Sequence, residues 1–149
     1  KGINEESIVF YTNKNSSKAV DISANPKAGS TFFWPELERQ VCIYGEVSEL
    51  TEKENDEYFA SRPRESQIGA WVSKQSQPLD SRGELDSTLE ELREKYRGHD
   101  VIDRPAHWGG YRIHFEKVEF WQGRPSRLHD RIIYTKGDEG VWQKGLLQP

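Results

Sequence analysis

The chain has 149 residues, enough for one domain around one core, with 34% apolar and 31% charged residues and a formal net charge of −4. Both signs of charge are interspersed, which leaves no global basic field to draw in nucleic acid, and the lone cysteine, Cys42, excludes an internal disulfide and a Cys-rich zinc site. No apolar run approaches the roughly 18 residues of a membrane-spanning helix, no secretory leader opens the sequence, and a single thiol suits a reducing, cytoplasmic setting.

Ile8 to Thr12 is rich in β-branched and aromatic residues and reads as a short strand. Ser16 to Asn25 follows as a short helix, stopped by Asn25-Pro26. Gly29 to Trp34 reads as a second strand. From Arg39 to Leu50, Val41, Ile43, Gly45 and Val47 alternate with other residues, the period of a half-buried strand. Thr51 and Glu54 form a capping-box pattern that predicts a helix through Ala60, which Pro63 ends or redirects. Ile68, Trp71 and Val72 mark a second helix. Ser81 and Glu84 cap a third, with Leu85, Leu89, Leu92 and Tyr96 as its apolar stripe and Gly98 as its stop.

After Pro105 the pattern returns to β. Tyr111, Ile113 and Phe115 alternate, and Val118 and Phe120 continue in the opposite phase, which calls for a bulge or turn near Glu116-Lys117. Arg131 to Thr135 and Gly140 to Gln143 read as closing strands around a turn at Gly137 to Gly140. Strands at both ends with helices between them exclude a regular βαβ alternation. The expected class is therefore mainly β with helices, an antiparallel sheet curled into a barrel. The apolar share, though low, holds five Trp, six Tyr and six Phe, and large rings let a small core offset the entropy of ordering the chain.

The sequence lacks GxGxxG, P-loop, HExxH and GxSxG patterns, and its four histidines show no ligand spacing, so no metal site is expected. Phosphate-binding chemistry beside rings is the stronger signal. Ser61-Arg62-Pro63-Arg64-Glu65-Ser66 places two guanidinium groups and two hydroxyls at a junction between helices. If the next helix begins near Ser66, its backbone N–H groups add to an anion site; the alternative is a solvated loop with surface ion pairs. Arg127, His129 and Arg131, at alternate positions near Trp121, would share one strand face and hold an aromatic anion by charge and stacking. The plainer reading there is a β-hairpin with a polar outer face. In Gln67 to Ser76, the terminal Gln75-Ser76 caps a helix or meets a ligand, and nothing local decides between them.

Together these segments resemble pyridoxine/pyridoxamine 5'-phosphate oxidases. The resemblance rests on YTN at Tyr11 to Asn13, LERQV at Leu37 to Val41, and YFxSRPRxSQIGAWVSKQS at Tyr58 to Ser76. It continues with WGGYR at Trp108 to Arg112, EFWQGRPSRLHDR at Glu119 to Arg131 and the final Pro149. It implies a single split β-barrel domain of FMN-binding type over residues 1–149, a homodimer, and FMN at the subunit interface. On that basis Tyr11, Thr12, Ser17, Lys18, Gln40, Gln75, Ser76, Trp121 and Arg131 fall on FMN positions. Lys1, Tyr58, Arg62 and Ser66 fall on substrate positions, mainly around a phosphate. Arg127, Leu128 and His129 match substrate positions near the reacting carbon, with Arg127 and His129 as the catalytic pair.

The implied reaction oxidises pyridoxine or pyridoxamine 5'-phosphate to pyridoxal 5'-phosphate with dioxygen, releasing hydrogen peroxide, and ammonia from the amine. Two departures stand out. The family run SRK is Ser16-Ser17-Lys18 here, which removes a guanidinium from the FMN phosphate. The family also has a segment before the position of Lys1, so an N-terminal part is expected to be missing from this sequence. The alternative function is a non-catalytic flavin- or pyridoxal-phosphate-binding relative on the same barrel.

Overall fold

A computed structural model describes residues 2–149. Lys1, a substrate position of the resemblance, lies outside the described residues. In chain order the elements are β1 (Gly2–Ile3), β2 (Ser7–Asn13), α1 (Ser17–Ala24), β3 (Lys27–Trp34), β4 (Arg39–Glu49), α2 (Glu52–Ser61), α3 (Arg64–Val72), α4 (Arg82–Lys95), β5 (Trp108–His114), β6 (Lys117–Gln122), β7 (Asp130–Lys136) and β8 (Trp142–Leu146). Short 3-10 turns occupy Pro35–Leu37 and Pro125–Arg127. The strands hydrogen-bond in the order β1-β2-β5-β4-β6-β7-β8, with β3 also on β4. This is the mainly β, helix-bearing class expected, an antiparallel sheet of split-barrel type. The chain divides into two compact units.

The first unit holds the chain through Val9, Pro26–Ser48 and Arg112–Pro149. β3 pairs with β4 from Lys27↔Glu46 to Trp34↔Arg39, and β4 with β6 from Arg39↔Gln122 to Tyr44↔Lys117. β6 pairs with β7 and β7 with β8 in turn. Because side chains alternate across a strand, this register sorts the residues into two faces. Phe32, Val41, Phe120 and Ile132 line up on one face, which opens as an apolar groove of about 1000 Å³. Gln40, Trp121 and Arg131 form a cross-strand row on the other.

The strand limits differ from the sequence reading for local reasons. β5 starts at Trp108, three residues before Tyr111, because Gly109-Gly110 reads as a turn signal while sitting inside the strand. β8 starts at Trp142, two residues after Gly140. There the turn runs on through bonds from Gly140 N–H to the Gly137 carbonyl and from Gly137 N–H to the Val141 carbonyl. The expected phase change at Glu116 is present as a bend, with Glu116 N–H on the Tyr44 carbonyl at 3.0 Å.

The second unit holds Phe10–Asn25 and Glu49–Tyr111. Its core is Phe59, Ile68, Val72, Ile102 and Trp108, against which Leu85, Leu89, Leu92 and Tyr96 of α4 pack partly buried. The capping box of α2 is complete: Thr51 Oγ1 accepts from Glu54 N–H at 3.2 Å, and Glu54 Oε2 accepts from Thr51 N–H at 2.8 Å. Gly98 lies three residues beyond α4 at φ 75°, a left-handed position suited to glycine. Asn55 is fully buried, accepting from Gly110 N–H at 2.8 Å and donating to the Leu50 carbonyl at 3.4 Å. It fixes the start of β5 to α2.

Candidate active site

In the second unit, three rings stand nearly parallel. Tyr11 lies 4.0 Å from Tyr58 at 14° and 5.0 Å from Trp108 at 9°, and Tyr58 lies 6.2 Å from Trp108. Gly110 leaves room for the stack, and Gly109 leaves room for the Lys14 side chain. A Cβ on Gly110 would sit 2.7 Å from the Tyr11 ring, and one on Gly109 would sit 2.5 Å from Lys14 Cε. Arg62, immediately after α2, places its guanidinium 4.8 Å from the Trp108 ring centre and 5.6 Å from that of Phe59. Its Nη1 is buried and has no hydrogen-bond partner among the described residues. Burial pushes the pKa of this guanidinium down, with Tyr58 acting in the opposite sense. A partly desolvated cation with an open buried donor suits an anion.

The junction around Arg62 differs from the sequence reading in two respects. α3 begins at Arg64, capped by Pro63, so Ser66 is inside the helix and its N–H is bonded to the Pro63 carbonyl at 2.8 Å. Ser66 therefore does not open an N-terminal anion site, because the helix starts at Arg64, two residues earlier. Arg64 is not a second phosphate arm either. Its guanidinium donates to the His99 carbonyl at 2.8 Å and to the Tyr96 carbonyl, and so binds the chain beyond α4.

A polar cluster sits nearby in the same unit. Thr12 is buried, and its Oγ1 donates to Gln75 Oε1 at 2.6 Å. Lys18 Nζ donates to the same Gln75 oxygen at 2.7 Å and to Thr12 Oγ1 at 3.4 Å. Gln75 thus joins Thr12 and Lys18, which precede it by 63 and 57 positions, and the ambiguity over Gln75 resolves against a helix cap. Ser17 is exposed as the first residue of α1. Ser76 adopts φ 69°, left-handed for a non-glycine residue.

In the first unit, Gln40, Trp121 and Arg131 are direct cross-strand neighbours. Gln40 Nε2 donates to Cys42 Sγ at 3.0 Å, and Arg131 Nε donates to Glu119 Oε1 at 2.7 Å. The His129 ring lies 4.8 Å from the Trp121 ring, and its Nδ1 accepts from Arg124 N–H at 3.1 Å. That bond places the proton of a neutral imidazole on Nε2. Arg127 and Leu128 are exposed.

The expected strand face of Arg127, His129 and Arg131 does not form. β7 begins at Asp130, and Ser126 and Arg127 take left-handed φ values of 59° and 61° in the turn opened by Pro125. Extended alternation is broken there, so only Arg131 of the three belongs to the strand. Sequence reasoning also passed over Glu119, Asn55 and the role of Trp108. Their partners are distant in sequence, so no local signal marks them.

Comparison with known proteins bears on this arrangement. The family profile described as pyridoxamine 5'-phosphate oxidase matches residues 2–96, and that described as the pyridoxine 5'-phosphate oxidase C-terminal dimerisation region matches residues 108–149. A pyridoxine/pyridoxamine 5'-phosphate oxidase of Rubrobacter xylanophilus is 50% identical over 149 residues, covering 100% of this chain and 68% of the relative. The chain belongs to the pyridoxamine 5'-phosphate oxidase family. A family member of the same description from Cytophaga hutchinsonii is 54% identical over 142 residues, covering 95% of this chain and 66% of the relative.

Among solved structures, PhzG from Burkholderia lata 383, in complex with tetrahydrophenazine-1-carboxylic acid, superposes with a TM-score of 0.89 at 28% identity. The match covers 100% of this chain and 72% of PhzG. A pyridoxamine 5'-phosphate oxidase-related, FMN-binding protein from Nostoc punctiforme shares the fold, with a TM-score of 0.75 at 15% identity over 100% of this chain and 77% of that one.

Proposed function

We propose that this protein is a flavin-dependent oxidase that converts pyridoxine or pyridoxamine 5'-phosphate to pyridoxal 5'-phosphate, using dioxygen and releasing hydrogen peroxide, with ammonia from the amine. The observation that carries the reading is Arg62, a half-buried arginine whose Nη1 is buried without a partner beside Trp108 of three stacked rings. Such a group suits an aromatic ligand that carries an anion.

The cofactor is FMN, and the residues present fit it. Trp121 offers a ring, Gln40 an amide and Arg131 a cation in one row, while Lys18 and Thr12 offer a cation and a hydroxyl together. The resemblance adds Tyr11, Ser17, Gln75 and Ser76 as further FMN positions. When bound, FMN supplies the acceptor for a hydride equivalent from the substrate's C4' carbon and the route of those electrons to dioxygen.

The chain's own residues bind and orient. Arg62, Tyr58 and Ser66, with Lys1, hold the substrate phosphate. Arg127 pins the pyridine ring, and Leu128 packs beside it. His129, with its proton on Nε2, donates a hydrogen bond that orients the substrate rather than taking a proton from it. The protein works as a homodimer with FMN between subunits, a reading supported by the dimerisation-region match over residues 108–149. No helix among the described residues is long and apolar enough to cross a membrane, and the expected location stays cytoplasmic.

The test is oxygen consumption and pyridoxal phosphate formation by the FMN-loaded protein given pyridoxine 5'-phosphate. The reading predicts a yellow protein, oxygen uptake and one peroxide per product; a protein that neither turns yellow nor forms product overturns it. The PhzG likeness favours a second reading, an oxidase of a carboxylated fused-ring substrate. Oxygen uptake with tetrahydrophenazine-1-carboxylic acid but not with pyridoxine 5'-phosphate would select it.

A further inference from the structure

Trp108 opens β5, and its indole lies under the Arg62 guanidinium. We propose that Trp108 is a positioning residue for phosphate recognition, its indole face holding the Arg62 guanidinium ready for the substrate's phosphate. The inference rests on the reading of Arg62 as a phosphate-binding residue.

An arginine can be held still in two ways. A carboxylate partner would fix the guanidinium, but it would also neutralise its charge and occupy its N–H groups. An aromatic face fixes the cation and consumes no donor, so the N–H groups stay available to phosphate oxygens. Arg62 is of the second kind: its Cζ lies 4.8 Å from the Trp108 centroid, no carboxylate pairs with it among the described residues, and Nη1 is buried without a partner. By contrast Arg64, two residues on, spends its guanidinium on the Tyr96 and His99 carbonyls.

The indole itself is immobilised on several sides. It is 7% exposed, Tyr11 is parallel to it at 5.0 Å, and Phe59 meets it edge-on at 5.2 Å. Its backbone N–H donates to the Pro105 carbonyl at 2.9 Å, and its carbonyl accepts from Arg104 Nη1 at 2.7 Å. Arg104, whose side chain is 9% exposed, also pairs with Glu52 and, at 2.7 Å, with Asp56. Both acids belong to α2, the helix that Arg62 directly follows. The plane and the cation laid on it are therefore tied to one another through the same helix.

The test compares the FMN-loaded parent protein with Trp108→Phe, Trp108→Leu and Arg62→Ala. Anaerobic binding of pyridoxine 5'-phosphate and of unphosphorylated pyridoxine is measured by calorimetry, with inorganic phosphate as competitor. Loss of the indole face is expected to weaken the ester and inorganic phosphate about tenfold in Trp108→Leu and about threefold in Trp108→Phe, while pyridoxine binding is unchanged. If ester and alcohol weaken by the same factor, or if Trp108→Phe binds the ester as the parent does, the proposal is overturned. Trp108→Phe keeps a large ring in the core and decides the matter if the leucine variant does not fold. If Arg62→Ala binds the ester normally, the phosphate reading of Arg62 fails first; if only the Trp108 variants bind normally, the positioning role alone fails.

Discussion

Arg131 donates from Nε to Glu119 Oε1 at 2.7 Å, a diagonal contact across the β6–β7 ladder. The carboxylate is the more enclosed partner, with its side chain 12% exposed against 33% for the arginine. Its hydrogen bond holds the guanidinium above the ordinary arginine pKa. Glu119 thus aims the cation at the end of the row Gln40–Trp121–Arg131. Glu119→Ala is expected to raise the FMN dissociation constant about tenfold, and Glu119→Gln, which keeps an acceptor, by less. Quenching of flavin fluorescence on titration reads both. Equal constants in all three proteins would mean that Arg131 is held without Glu119, by its donation from Nη1 to the Gln148 carbonyl at 3.1 Å.

Ser17 stands exposed at the first residue of α1, beside Lys18. Ser17→Arg restores the family's second cation and is expected to tighten FMN about tenfold. A cation in the first turn opposes the helix dipole, so the same change should lower the melting temperature of the flavin-free protein slightly. Unchanged FMN affinity would reject the first expectation, and a raised melting temperature the second.

Asn55 is the fully buried link between α2 and β5. Asn55→Ala leaves Gly110 N–H and the Leu50 carbonyl without partners in the interior. The expected loss of stability is about 2–3 kcal/mol, read from urea unfolding midpoints. A loss within experimental error would show that water takes over both bonds.

Tyr111, only 2% exposed, has its phenol pKa pushed up by burial first and by Glu49 next, with Lys14 opposing. In the unfolded chain the phenol ionises near its ordinary value of about 10. A folded pKa above the unfolded one means that the stabilising contribution is whole below about pH 10 and is lost as pH rises through the folded pKa. Unfolding midpoints should be level to roughly pH 9.5 and fall above it, and Tyr111→Phe should flatten the fall. An equally steep fall in the variant would assign the alkaline loss to other groups.

What the sequence makes legible here is local. Thr51 and Glu54 are three residues apart and announce the α2 cap they make; the alternation around Val41 to Val47 announces β4. The family blocks bring out the candidate residues without their geometry. That Gln40 sits beside Trp121 and Arg131 depends on pairing between β4 and β6, strands distant in sequence, which no pattern within one strand reveals. The difference between Arg62 and Arg64 is likewise tertiary: one meets rings, the other meets carbonyls. The misread face at Arg127 and His129 has a separate cause. Ser126 and Arg127 turn left-handed without a glycine to signal it.

That turn has a price in backbone energy of about 1–2 kcal/mol for each residue held there, and serine and arginine bear it where glycine would not. Its shape must therefore be imposed by neighbours, through the Leu128 N–H on the Pro125 carbonyl and the Arg124–Asp130 ion pair on either side. Any loosening of the adjoining hairpin would let the loop relax to ordinary dihedrals and carry Arg127 with it. The order of this proposed substrate arm is thus lent by the strands beside it, and heat or denaturant should withdraw it before the sheet itself gives way.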